Sequence, residues 1–179
     1  MINKKIALLA VALASSFGAA AQTSPATGGI YGEVGFTSIK VKIADDNVGS
    51  VSAKPSAIRL IVGTALHPNF AVEGMLAFGA GKDTLSGNNE KVKLKNAFGI
   101  YAKPKMNLTP ELELFGRLGY ARSKVSVGAD KNSEGDVSYG LGLGYAISKQ
   151  TSVNVDYMSY YNKDRVKVNG FTFGLGYKF

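Results

Sequence analysis

The sequence predicts an all-β protein, an eight-stranded antiparallel up-and-down transmembrane β-barrel. Three observations predict it. The chain ends on a strictly alternating strand, Thr172-Phe173-Gly174-Leu175-Gly176-Tyr177-Lys178-Phe179. The body holds seven further segments in which apolar residues recur at every second position. No run after Phe17 approaches the length of about eighteen apolar residues that a membrane-spanning helix needs.

The N-terminal end reads separately. Met1 to Lys5 holds two lysines, Ile6 to Phe17 is an apolar run, and Ala19-Ala20-Ala21 places small residues before Gln22. That order predicts a cleaved secretory signal peptide over residues 1–21, since the run is too short to span a bilayer. Residues 22–179 then form one domain. Without Lys4 and Lys5 the net charge of +8 becomes +6. The remaining lysines are scattered among apolar residues, which fits lumen, rim and loop positions and not a nucleic-acid surface. The chain has no cysteine, which excludes disulfides and thiolate chemistry. A closed barrel supplies stability instead, because every backbone N–H and C=O in its wall is paired.

The strands follow in order. The first, Ile30 to Val41, sets Ile30, Val34 and Phe36 against Tyr31, Glu33, Gly35 and Thr37. In the second, Ala57 to Leu66, Ile58, Leu60, Val62 and Leu66 alternate with Arg59, Ile61 and Gly63. In the third, Phe70 to Gly79, Val72, Leu76 and Phe78 oppose Glu73, Met75 and Ala77. The fourth, Val92 to Lys103, sets Leu94, Phe98 and Ile100 against Lys95, Ala97, Gly99 and Tyr101. The fifth, Glu111 to Lys124, sets Leu112, Leu114, Leu118 and Tyr120 against Glu113, Phe115, Arg117 and Gly119. In the sixth, Tyr139, Leu141, Leu143 and Tyr145 alternate with Ser138, Gly140, Gly142 and Gly144. The seventh, Ser152 to Tyr161, sets Val153, Val155 and Tyr157 against Asn154, Asp156 and Met158. The final octapeptide is the eighth, and closure requires it to pair with the first near Ile30 to Phe36.

Connections alternate in length. His67-Pro68-Asn69, Lys105 to Pro110 and Ser148-Lys149-Gln150 are short. Ala44 to Ser56, Ala80 to Lys91 and Val125 to Asp136 are long and polar, and Asn162 to Val168 is shorter but charged. Short periplasmic turns, longer external loops and an even strand count predict that both termini are periplasmic. A soluble lipocalin-type barrel would invert the alternation. The second face, however, mixes glycines with Glu33, Glu73, Arg117 and Asp156, which makes neither a solvated surface nor an apolar core.

The ending resembles the C-terminal insertion signal of outer-membrane barrels, with Thr172, Gly174, Tyr177 and Phe179 in its positions. Gly29-Ile30-Tyr31-Gly32-Glu33, His67 to Gly74, Tyr139 to Tyr145 and Gly174 to Phe179 resemble the small outer-membrane β-barrel family as a whole. That family includes opacity proteins, OmpX and attachment-invasion proteins, and the OmpA transmembrane domain. The resemblance implies residence in the outer membrane of a Gram-negative cell, with contacts to outer-membrane lipid, lipopolysaccharide and the assembly machinery.

The inward charges in this register are Glu33, Arg59, Glu73, Lys95, Lys103, Glu113, Arg117, Asp156 and Lys178. Eight strands enclose a lumen that side chains can fill. Buried charges persist there only if paired. The near-balance of sign predicts an internal salt-bridge network, centred on Glu33, Arg59, Glu73, Arg117 and Asp156. Rings of one sign would suit a selective pore better.

Catalysis is not expected. The sole histidine, His67, precedes Pro68 in a predicted tight turn, where it has no carboxylate and serine constellation. No cofactor or metal is expected either. Gly140-x-Gly142-x-Gly144 lies within a strand and opens no helix, which excludes a nucleotide loop. Asp130-x-Asn132-x-Glu134-Gly135 lacks the glutamate a calcium loop needs at its end. The sequence thus points to a non-enzymatic surface barrel, envelope-structural or adhesin-like, with a host or surface ligand reached through its external loops. The alternative is a small channel for solutes or hydrophobic compounds.

Overall fold

The computed structural model describes residues 29–45, 49–84, 91–127, 130–163 and 166–179. The expected signal peptide, residues 1–21, lies outside the described residues. Nine strand segments form one sheet: β1 (Ile30–Asp45), β2 (Gly49–Ala53), β3 (Ser56–His67), β4 (Phe70–Thr84), β5 (Lys91–Asn107), β6 (Leu112–Val127), β7 (Asp130–Ala146), β8 (Thr151–Lys163) and β9 (Val166–Lys178). Each pairs antiparallel with its neighbour, and β9 returns to β1, from Tyr31 opposite Lys178 to Ile43 opposite Val166. The closing strand therefore meets the first strand as expected and closes the wall, while β2 pairs with β1 alone among the described residues.

Nine segments make eight wall strands because β2 and β3 share one register against β1. Val41 faces Ala53 and Ser38 faces Ser56, with no shift between them. The interruption falls at Pro55, which has no N–H to donate. Its carbonyl still accepts the Ile39 N–H at 2.9 Å.

The three short turns and both ends of the sheet share one rim. Asn69 N–H donates to His67 Nδ1 at 3.2 Å in the first turn. Thr109 Oγ1 accepts the Leu112 N–H at 3.0 Å in the second, and Ser148 Oγ accepts the Thr151 N–H at 3.0 Å in the third. Phe179 N–H donates to the Ile30 carbonyl at 3.0 Å at the same rim.

The opposite side differs from expectation. The segments predicted as long loops are mostly strand: β1 reaches Asp45, β4 reaches Thr84, and β7 starts at Asp130. Antiparallel pairing continued past the bilayer satisfies the backbone without requiring an apolar face, so a polar sequence there still forms a hairpin.

A second difference lies in β5. Leu94 was expected outward and Lys95 inward, but Leu94 is buried and Lys95 exposed. The register against β6 shifts between Leu94 and Asn96. One extra residue at a β-bulge reverses the alternation beyond it.

Candidate functional site

Outward and inward faces of the wall differ in chemistry. Outward on β7, Val137, Tyr139, Leu141, Leu143 and Tyr145, with Ile147 in the turn, are all exposed. That interval, at about 3.3 Å per residue and a tilt of about 40°, spans about 25 Å, the height of a lipid-facing band. It starts at the turn rim. Residues Asp130–Asp136 of β7 therefore project beyond it, by about 18 Å at the same rise and tilt.

Inward, the structure brings Glu33, Arg59, Glu73, Arg117 and Asp156 together. Arg59 is 1 % exposed and Arg117 is 2 % exposed. Arg117 Nε donates to Glu73 Oε2 at 2.6 Å, Nη1 to Asp156 Oδ2 at 2.6 Å, and Nη2 to Glu33 Oε2 at 2.9 Å. Arg59 Nη1 donates to Asp156 Oδ1 at 2.9 Å, and Nη2 to Glu33 Oε1 at 2.8 Å and to Asp156 Oδ2. Each guanidinium thus bridges carboxylates from different strands, a geometry suited to the planar fork of arginine. Arg59 Nε is left without a partner.

Pairing of this kind needs close strand approach. A Cβ on Gly142 would lie 2.7 Å from Asp156 Cβ and would collide with the Phe115 ring. The glycines of β7 therefore make room for the inward charges.

Above the ions, away from the turn rim, the lumen turns apolar. Met75, Tyr101, Ala121 and Met158 form one buried cluster together with Ile61, which sits level with Glu33. Ile39, Val41, Ala57, Ala77 and Leu94 form another. Along β1 the inward face carries Glu33, then Thr37, then Ile39 and Val41, which fixes that order.

A family model for the outer membrane protein beta-barrel domain matches residues 7–179. The chain belongs to the outer membrane protein beta-barrel family. This outer-membrane barrel is similar in fold to several solved structures. One is Ail, the attachment invasion locus protein of Yersinia pestis, in complex with the heparin analogue sucrose octasulfate. It shows 20 % identity and a TM-score of 0.63 over 86 % of this chain and 100 % of Ail. Neisserial surface protein A is 17 % identical, with a TM-score of 0.62 over 84 % of this chain and 97 % of its own. The outer membrane protein OprG of Pseudomonas aeruginosa is 13 % identical, with a TM-score of 0.61 over 86 % and 97 %. Among curated proteins, none matches the sequence.

The barrel's remaining predicted site residues sit on the closing strand. Thr172 and Gly174 face inward, and Thr172 Oγ1 hydrogen-bonds Thr37 Oγ1 at 2.9 Å. Tyr177 and Phe179 face outward in edge-to-face contact, with centroids 5.2 Å apart. Of the other inward charges, Lys103 reaches Glu113 at 3.3 Å and Glu73 at 3.6 Å and stacks over the Phe115 ring. Lys178 is exposed at the rim.

Several partners lie outside the inward charges that the sequence predicts. Tyr31 donates to Glu73 at 2.7 Å, Asn154 Nδ2 to Glu33 at 3.1 Å, and Lys105 to Glu113 at 3.0 Å. Inward parity marks Tyr31 and Asn154. Arg59 Nη1 also donates to Tyr160 Oη at 3.2 Å. Tyr160 continues the inward parity of Asn154, Asp156 and Met158, beside a register shift between Ser159 and Tyr161.

Proposed function

We propose that this outer-membrane barrel is a non-enzymatic surface protein that holds its lumen closed and presents its hairpin extensions outside the cell. One observation carries the reading. The ionic layer of Glu33, Arg59, Glu73, Arg117 and Asp156 is buried, each charge is paired with opposite charges from other strands, and apolar clusters adjoin it. Ions so paired stay associated, because freeing one leaves a charge without compensation. The length asymmetry supports placing turns and termini on the periplasmic side. The extended hairpins then offer a surface for envelope contacts or adhesion. Thr172, Gly174, Tyr177 and Phe179 serve in this reading as the mark by which the assembly machinery takes the closing strand.

Planar-bilayer recording on refolded protein tests it. The expected result is no steady unitary conductance. A reproducible conductance would overturn the closed lumen and establish a small channel for solutes or hydrophobic compounds.

A further inference from the structure

The wall divides at its hairpin end. β7 and β8 pair from Ala146 opposite Ser152 to Tyr139 opposite Ser159, and the ladder stops there. Beyond that point, among the described residues, residues 130–138 of β7 pair with β6 alone and residues 161–163 of β8 pair with β9 alone. The Asp136 side chain bridges the seam. It accepts from Lys163 Nζ at 2.8 Å and from the Asn162 N–H at 3.3 Å. β8 ends at Lys163, beside Asp136. Residues 130–135 of β7 therefore continue outward past β8, with a ladder to β6 on one side and, among the described residues, none on the other.

Backbone alternation identifies the groups left on the open side. The Ala146 N–H donates to the Glu111 carbonyl, on the β6 side, whereas the Val137 N–H donates to the Asp136 carboxylate. The β6–β7 register runs without a shift from Leu112 opposite Tyr145 to Val127 opposite Asp130. Even-numbered residues of β7 thus turn their N–H and C=O toward β6, and odd-numbered ones turn theirs away. The open side carries the backbone groups of Lys131, Ser133 and Gly135. No proline and no bulge interrupts it. Such an edge is a template for another strand. The sequence adds a charge preference, because Asp130, Asn132, Glu134 and Asp136 occupy every second position. An added strand with bases on that parity meets opposite charge across the ladder. A slip of one residue brings those bases to Lys131 instead.

We propose that residues 130–135 receive an extended, basic segment of a partner protein as an added strand, in the lane that β8 leaves at Lys163. The added strand runs antiparallel to β7, as β8 does below it. Backbone hydrogen bonds supply affinity and the alternate acids supply register. The inference deepens the surface-protein reading and rests on it, since the edge meets a partner only if the hairpins face out of the cell. It is independent of whether the lumen conducts.

The test uses the full barrel refolded in phosphatidylcholine nanodiscs, with a labelled decapeptide of alternating Lys and Thr as the probe. Fluorescence anisotropy reads affinity against empty nanodiscs, and hydrogen exchange followed by NMR reads the edge. The amides of Lys131, Ser133 and Gly135 should exchange about tenfold more slowly, or slower still, with peptide bound. With bases opposite the even-numbered acids, the Thr nitrogens of the peptide face β7 and the Lys nitrogens face away. N-methylation at Thr should therefore weaken binding about tenfold or more, whereas N-methylation at Lys should not. Ser133→Pro removes one open-side donor, spares the β6 ladder, and should weaken binding to a similar degree. Gel mobility before and after boiling checks that the variant has folded, and the two methylated peptides on the parent decide the matter if it has not. Absence of binding, equal weakening by both methylation patterns, or unchanged affinity in folded S133P would overturn the proposal. So would equal binding of a Glu and Thr decapeptide. None of these outcomes touches conductance or the surface-protein reading, because binding is read on a refolded barrel with both sides accessible.

Discussion

The ionic layer and the apolar clusters above it fill the same lumen by opposite means. Near the turn rim, Arg59 and Arg117 join Glu33, Glu73 and Asp156 from separate strands. Toward the hairpins, Ile39, Val41 and Leu94 pack without polar partners. Charges buried in pairs contribute little net stability, yet each becomes costly once its partner is lost. Apolar packing contributes in proportion to what is buried and fails gradually. The first layer therefore fixes register and closure across strands, whereas the second seals the lumen toward the hairpins.

Arg117→Ala should break the comparison most severely. It removes one buried cation from Glu73, Glu33 and Asp156 together, and the expected loss is about 3–5 kcal/mol, read from urea unfolding in lipid vesicles. Adding Glu73→Ala should cost less than the two single losses combined, because the residues share one network. Simple additivity would mean that the ion cluster does not act as a unit. In the apolar layer, Ile39→Ala should cost about 2 kcal/mol or more by the same measurement. That cost should be insensitive to removal of any single charge below it. Lys95→Ala comes last, within about 0.5 kcal/mol, because the bulge has placed the side chain outside. A loss comparable to that of Arg117→Ala would return Lys95 to the lumen.

Much of the fold was legible in the residue order, for a physical reason. The side-chain period of a strand is two, and lipid and lumen demand opposite chemistries, so Val34 and Glu33 declare their faces without any contact being known. The same parity gathers Glu33, Arg59, Glu73, Arg117 and Asp156 onto the inward face. Pro55, the short turns and the alternating C-terminal strand are likewise local signals.

What the tertiary structure alone decided lies where the period slips or where pairing outruns hydrophobicity. The bulge at Leu94–Asn96 exchanges Leu94 and Lys95 between faces. It leaves no mark in composition, because a bulge is set by the neighbouring strand. The polar hairpin extensions read as loops because their ladders need only a partner backbone. Sequence by itself determined which face each residue of a regular strand takes. Only closure of the sheet decided which carboxylate each arginine meets, since that depends on the stagger of strands distant in the chain.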